Sequence, residues 1–214
     1  MSEQRITSIE VQDRRSNRRS IFLDGNFALG VDESIVEDLG LHVGQSISEE
    51  ELQNVVRAEL LSKAKERALN LLDYRQRSKA EVARRLSMAG FSEDIIEETV
   101  AHLERIGLLN DAEFSHAWVN HRIVEQGMGK ARMKWELRQK GVSDDVAQEA
   151  LASLNENAEY ESAIDLARRR WEKDSSADER AKRRRLIGFL QRKGFPWETI
   201  NRVINALSDD AVDE

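Results

Sequence analysis

The stretch Val82-Ala83-Arg84-Arg85-Leu86-Ser87-Met88-Ala89-Gly90-Phe91-Ser92 is echoed twice further along the chain. The echoes are Met133-Lys134-Trp135-Glu136-Leu137-Arg138-Gln139-Lys140-Gly141-Val142-Ser143 and Leu186-Ile187-Gly188-Phe189-Leu190-Gln191-Arg192-Lys193-Gly194-Phe195-Pro196. With Gly90, Gly141 and Gly194 superposed, the copies lie 51 and 53 residues apart. Eight residues before each glycine stand Val82, Met133 and Leu186, and four before it Leu86, Leu137 and Leu190. One residue after it come Phe91, Val142 and Phe195; ten after, Val100, Leu151 and Ile204; thirteen after, Leu103, Leu154 and Leu207. Each glycine fits the first position past a helix end, where the backbone turns left-handed. The apolar residue behind it then returns to the residue five positions earlier. A second helix starts at once: Ser92 and Ser143 suit N-caps and are followed by acids, while Pro196 suits a first helical position.

A longer helix precedes each copy, at about 49–74, 111–126 and 158–172. Ser48 and Glu51 make a capping box for the first, and Leu52, Val55, Val56, Leu60, Ala64, Ala68 and Leu72 recur at helical spacing behind it. Gly107-Leu108-Leu109-Asn110-Asp111 leaves one repeat and caps the next, and Asn155-Glu156-Asn157 separates the second from the third. The expected fold is mainly α: three tandem three-helix repeats forming a short curved solenoid, each unit burying its apolar face on its neighbours. The repeats divide as 48–106, 107–155 and 156–207, followed by an acidic, disordered tail over 208–214. The polar run Lys173 to Glu179 reads as a mobile loop within the third repeat.

Residues 1–47 read differently, as a β-rich extension. Ile6-Thr7-Ser8-Ile9-Glu10-Val11 carries β-branched residues in loose alternation, and Arg14, Arg15, Ser16, Asn17, Arg18 and Arg19 read as turn-like. Ile21-Phe22-Leu23 and Phe27-Ala28-Leu29-Gly30-Val31 flank Asp24-Gly25-Asn26, a strong hairpin signal. Three short antiparallel strands are expected, closed by a short helix near Asp32 to Leu39. So small a sheet needs support from the helical part of the chain.

Composition narrows the chemistry. Of 214 residues 34% are charged, against roughly 25% in a typical soluble domain, which suits an elongated helical protein. The chain has one proline, Pro196, and no cysteine, so disulfides, thiolate catalysis and cysteine-ligated zinc are excluded. No apolar run long enough to span a membrane and no signal peptide is present, and a soluble cytoplasmic protein is expected. His42, His102, His116 and His121 lack metal-ligand spacing, and Gly127-Met128-Gly129-Lys130 lacks the context of a nucleotide-binding loop. No nucleophile–base pairing is found; an enzyme is not expected, nor a cofactor or metal. Trp118, Trp135, Trp171 and Trp197 read as core residues in preference to base-stacking platforms.

Charge is segregated within the repeats. The overall net charge is −7, yet Arg75, Arg77, Lys79, Arg84 and Arg85 against Glu81 leave +4 before the first glycine turn. Lys130, Arg132, Lys134, Arg138 and Lys140 against Glu136 leave +4 before the second. Arg180, Lys182, Arg183, Arg184, Arg185, Arg192 and Lys193 give +7 before the third. The helices that come next are mostly acidic. Acids at helix starts and bases at helix ends also suit the helix dipole, so any single charge reads as a solvated face. Three basic clusters at the repeat spacing would instead form a stripe suited to a polyanion or an acidic protein groove.

Three stretches carry a family resemblance. Leu71-Leu72-Asp73-Tyr74-Arg75-Gln76-Arg77-Ser78-Lys79-Ala80-Glu81-Val82, with Arg85-Leu86 and Gly90-Phe91, resembles the opening repeat of the RecX regulatory proteins. Gly107-Leu108-Leu109-Asn110-Asp111-Ala112-Glu113-Phe114 resembles that family's first junction. Gly127-Met128-Gly129-Lys130-Ala131-Arg132-Met133, with Glu136-Leu137 and Lys140-Gly141-Val142, resembles its second repeat. The likeness covers about residues 65–207, with a weaker match over Leu23-Asp24-Gly25 and Gly30-Val31-Asp32. Asn110 stands where an aspartate is usual, and Lys130 and Met133 replace a proline and an isoleucine often seen. The resemblance implies a negative modulator of the RecA recombinase. Such a protein binds the groove of the RecA–single-stranded DNA filament and opposes filament extension, strand exchange, ATP hydrolysis and cleavage of the SOS repressor. Its expected contacts are Arg75, Arg77, Lys79, Arg84, Arg85, Lys130, Arg132, Lys134, Arg138, Arg184 and Arg185, acting by electrostatic grip. A monomer is expected, with direct contact to single- or double-stranded DNA left open. Two other readings stand beside it: helix-turn-helix-like units acting directly on DNA, and a helical adaptor for some other acidic protein.

Overall fold

The computed structural model describes residues 3–12, 15–175 and 178–210. Two compact units divide the chain: Met1–Arg75 with Val82–Leu108, and Gln76–Glu81 with Leu109–Glu214.

The first unit opens with an antiparallel sheet of β1 (Gln4–Gln12), β2 (Arg15–Leu23), β3 (Asn26–Asp32) and β4 (Ser46–Ile47), in the order β3-β2-β1-β4. Asp24 and Gly25 both have positive φ, 49° and 82°, the geometry of a two-residue turn whose twist matches its strands. β4 is a fourth strand that was not expected; its two residues pair Ile47 with Gln4 and Ser46 with Arg5. Arg15 to Arg19, expected as turn residues, belong to β2 itself. Arg18 donates to Glu59 Oε1 at 2.6 Å and to the Gly30 carbonyl at 2.8 Å, and Arg19 pairs with Glu33. Arg14 lies outside the described residues. The short helix α1 (Glu33–Asp38) is capped by Asp32, whose side chain accepts from the Ser34 N–H.

The sheet leans on α2 (Glu49–Tyr74) as its size required. Val55 joins Ile6, Ile21, Leu23, Val31, Ile35, Leu41 and Ile47 in one buried cluster. Glu59, 5% exposed, takes Arg18, Lys63 at 3.0 Å and the Asp32 N–H at 2.9 Å, so one carboxylate ties β2, β3 and α2 together. The Ser48–Glu51 capping box closes the start of α2. Along α2 lies α4 (Glu93–Arg105), joined by Arg57 to Glu98 at 2.7 Å and to Asp94 at 3.3 Å. α3 (Lys79–Ser87) lies between them in sequence.

The second unit carries the other two triplets. These are α5 (Asp111–Gln126), α6 (Lys130–Gln139) and α7 (Asp144–Ala152), then α8 (Glu156–Glu172), α9 (Glu179–Lys193) and α10 (Trp197–Asp210). In each triplet the first and third helices pack along one another. Phe114, Val119, Ile123, Met133, Leu137, Val142, Leu151 and Leu154 form one core; Ile164, Leu186, Leu190, Phe195, Ile200, Val203, Ile204 and Leu207 form the next. The three glycine turns close as expected: Phe91 N–H donates to Leu86 O (3.3 Å), Val142 to Leu137 (3.1 Å) and Phe195 to Leu190 (3.2 Å).

Three details differ from expectation. Ser92 makes no cap bond to the backbone, its hydroxyl donating to Asp94 at 2.6 Å, whereas Ser143 does accept from Val146. Pro196 stands just before α10, its carbonyl accepting from Ile200, and is not a residue of the helix. α10 runs on to Asp210, three residues into the expected tail, because its apolar side continues to Leu207. Residues 211–214 of that tail lie outside the described residues, as do 176–177 of the expected mobile loop. Of that loop's described residues, Asp174 is held by Arg185, and Asp178 caps α9.

Candidate functional site

The basic middle helices α3, α6 and α9 are built alike. Two apolar residues four apart bury one side: Val82 and Leu86, Met133 and Leu137, Leu186 and Leu190, none more than 2% exposed. Of the other 28 residues on these helices 14 are basic.

In the second unit these helices meet end to end. The Gly129 N–H at the start of α6 donates to the Lys193 carbonyl at the end of α9 (2.9 Å), and the Ala131 N–H donates to Gly194 O (3.2 Å). The Ser78 hydroxyl, at the start of α3, donates to the Lys140 carbonyl at the end of α6. Orphan carbonyls at one helix end are thus satisfied by donors at the start of another. So close an approach leaves no room for a side chain. A Cβ on Gly194 would lie 3.0 Å from Arg132 Cα and nearer still to its backbone nitrogen, and one on Gly141 would strike the Ala80 methyl. Gly90 has no neighbour within 4 Å of such a Cβ.

The joints use some of the charges. Lys140 reaches Glu81 Oε1 at 3.0 Å, and Glu81 completes a capping box with Ser78. Lys193 donates to the Gln126 carbonyl at 3.0 Å. Lys79 is half buried, its N–H donating to Asp111 Oδ1 at 2.8 Å.

The expected contact residues divide accordingly. Arg84 and Arg85, in the last turn of α3, are exposed and have no ion partner among the described residues. Arg184 on α9 is the same. Arg75, at the end of α2, is exposed and Arg77 half buried. On α6, Lys134 has no ion partner within 4 Å among the described residues, Lys130 lies 4.0 Å from Glu159, and Arg132 lies 3.5 Å from Glu136. Arg138 is paired with Asp144, which holds the guanidinium above its ordinary pKa and the carboxyl below its own. Arg185 is likewise raised by its two-pronged pairing with Asp174, at 2.9 and 3.0 Å. Arg77, Lys79, Lys130, Arg132, Lys134 and Arg138 thus belong to the second unit, and Arg84 and Arg85 to the first.

The tryptophans do not all behave as expected. Trp118 is a packing residue, stacked on Phe114 at 5.8 Å and donating to Glu136 at 3.2 Å, and Trp171 is half buried. Trp135 and Trp197 are exposed, by 49% and 55%. Trp135 sits two residues from both Met133 and Leu137, about 200° around the helix from each, so the helical period turns it outward. Arg132 lies over its ring at 4.4 Å. Among the described residues no group of three or more His, Asp or Glu side chains could hold a metal ion, and no helix is long and apolar enough to cross a membrane.

Comparison with known proteins completes the picture. Residues 4–48 match the regulatory protein RecX N-terminal domain, and residues 64–103, 110–151 and 157–204 match the first, second and third three-helix domains of RecX. A regulatory protein RecX of Clostridioides difficile is 33% identical over 202 residues, covering 94% of this chain and 95% of that protein. One from Amycolatopsis mediterranei is 38% identical over 164 residues, covering 72% and 94%. A crystal structure of regulatory protein RecX superposes with a TM-score of 0.80 at 25% identity, over 94% of this chain and 99% of that one. RecX from Lactobacillus salivarius gives 0.66 at 28% identity, over 71% and 98%. With matches running from the sheet through all three helical triplets, the chain belongs to the RecX family of regulatory proteins.

Proposed function

We propose that this protein restrains the RecA recombinase by binding the RecA–single-stranded DNA filament through its basic middle helices. It thereby blocks filament extension and, with it, strand exchange, ATP hydrolysis and cleavage of the SOS repressor. The observation that carries this reading is the end-to-end joining of helices that carry an exposed Arg132 and a half-buried Lys134 beside their buried apolar pairs. Family membership supplies the partner. Arg75, Arg77, Lys79, Arg84, Arg85, Lys130, Arg132, Lys134, Arg138, Arg184 and Arg185 are the proposed contacts to filament protein or its DNA. Each exposed charge contributes little alone, and several on one scaffold add up. Their sum weakens as salt screens them. The protein works as a cytoplasmic monomer, catalyses nothing, and is organised as an extension over 1–47 and repeats over 48–106, 107–155 and 156–207.

The deciding assay is DNA-dependent ATP hydrolysis by RecA titrated with the protein at two salt concentrations. Inhibition that weakens at higher salt is expected; unchanged hydrolysis at saturating protein refutes the proposal. A gel shift with random single- and double-stranded DNA in the absence of RecA addresses the second reading, to which the exposed Trp135 beside Arg132 lends support. Tight shifts without RecA would favour direct action on nucleic acid.

A further inference from the structure

One cavity in the second unit is unlike the rest of its charged surface. A cleft of about 450 Å³ lies between α6, α7 and the turn before α10. Its lining is mainly aliphatic: Ala131 from α6, Leu151 and Ala152 from α7, and Pro196, with Gly194 and the polar Gln148 beside them. Lys130 and Lys134 also line it, four residues apart and so on one side of α6. Among the described residues Lys134 has no ion partner within 4 Å, and Lys130 is only loosely held by Glu159 at 4.0 Å. Trp135, half exposed, lies one turn beyond Ala131 on the same side of the helix.

We infer that this cleft is a docking site for an acidic peptide segment that carries an apolar side chain. The apolar side chain enters the cleft, and carboxylates one helical turn apart meet Lys130 and Lys134. The volume suits one or two such side chains, and two ammonium groups on one wall select a segment bearing carboxylates. A nucleic acid fits the cleft itself less well, because bases stack on aromatic faces and no aromatic residue is among those lining it, Trp135 standing outside. The inference rests on the reading that the protein binds the RecA filament, and assigns to the filament protein, not its DNA, the segment held at this place.

The test is site-specific photo-crosslinking with the full chain. A photoreactive phenylalanine replaces the exposed Gln148 at the cleft's lip, and the protein is irradiated with RecA filaments assembled on radiolabelled single-stranded DNA. The expected product joins position 148 to the RecA polypeptide. Mass spectrometry should place it in a segment with two or more carboxylates within four residues of an apolar side chain. A crosslink to the labelled DNA overturns the inference in favour of nucleic acid. Cosedimentation with filaments but no crosslink overturns the cleft alone, whereas no cosedimentation at all overturns the proposed function and this inference with it. Ala152→Phe, which fills the cleft, and Lys134→Glu, which reverses its rim, should each weaken cosedimentation about tenfold, the loss expected for excluding one apolar side chain or one charge pair. Helix content by circular dichroism should stay unchanged. Wild-type binding by both folded variants overturns the inference.

Discussion

Gly90, Gly141 and Gly194 look interchangeable as turn glycines, yet only two of them have a second task, and alanine substitution separates the two. Gly90 and Gly194 have nearly the same φ, 88° and 85°. Alanine at either position carries a left-handed residue, costing roughly 1–2 kcal/mol. At Gly90 that is the whole cost, since a methyl there meets nothing within 4 Å. At Gly194 the methyl runs into the Arg132 backbone at the α9–α6 joint. Backbone cannot swing aside as a side-chain tip can, so either the two helix ends separate or the overlap is retained. Overpacking of that kind adds about 1–3 kcal/mol, for a total of about 2–5 kcal/mol. Separation also removes the bonds from Gly129 to Lys193 and from Ala131 to Gly194. Hydrogen exchange read helix by helix is the right assay, because the two glycines belong to different compact units and one global midpoint would blend them. Gly90→Ala should raise exchange modestly in α3 and α4. Gly194→Ala should raise it more, in α9 and in the first turn of α6. Equal losses in the two variants, or no change in α6 for Gly194→Ala, would refute the joint.

Four further outcomes are expected from the same geometry. Glu59→Gln leaves Arg18 poorly paired inside the first unit and should cost about 3–5 kcal/mol, with faster exchange in β2 and β3; exchange confined to α2 would contradict it. Thr99 is fully buried and its hydroxyl has no hydrogen-bond partner among the described residues, so Thr99→Val should be neutral or stabilise by about 1 kcal/mol in urea unfolding, and a clear loss would mean the hydroxyl is satisfied in solution. The Asp144 carboxyl is held low by Arg138, so its pairing helps the folded state above the ordinary aspartate range and fades as pH falls through the lowered value. Carboxyl NMR titration should place its midpoint below that of a free aspartate and move it up in Arg138→Gln, and an unmoved midpoint would count against the pairing. Arg84→Glu with Arg85→Glu should weaken inhibition of RecA ATP hydrolysis at unchanged helix content, and full potency would remove α3 from the contact surface.

The fold was legible where local physics repeats. A glycine past a helix end, an apolar residue after it and a leucine five positions earlier need no distant partner, so Leu86–Phe91, Leu137–Val142 and Leu190–Phe195 could be read directly. The sheet was harder. Arg18 looks like a turn residue until Glu59, 41 positions on, is placed beside it, and β4 has two residues, too few to show a period. Of the candidate surface, the basic character of α3, α6 and α9 was visible, and which charges remain exposed was not. Trp135 is a separate case. Its place opposite Met133 and Leu137 was encoded by the helical period all along, and treating aromatic residues as core material by default concealed it.

Position relative to the glycine turn, more than charge itself, separates the structural cations from those left to meet a partner. Lys140 and Lys193 each stand one residue before a turn glycine, and both are drawn into joints: Lys140 to Glu81, 59 positions away, and Lys193 to the Gln126 carbonyl, 67 positions away. The equivalent residue of the first repeat is Ala89, and there the turn at Gly90 is open. A lysine is present where a joint is made and absent where none is, which ties those two charges to assembly of the repeats. Two to seven residues before the glycines stand cations such as Arg84, Arg85, Lys134 and Arg192, which no joint engages. Counting positive charge per helix merges these two classes. A binding surface estimated from such counts includes residues whose loss would act by loosening the scaffold, so only the cations outside the joints can report on what the scaffold holds.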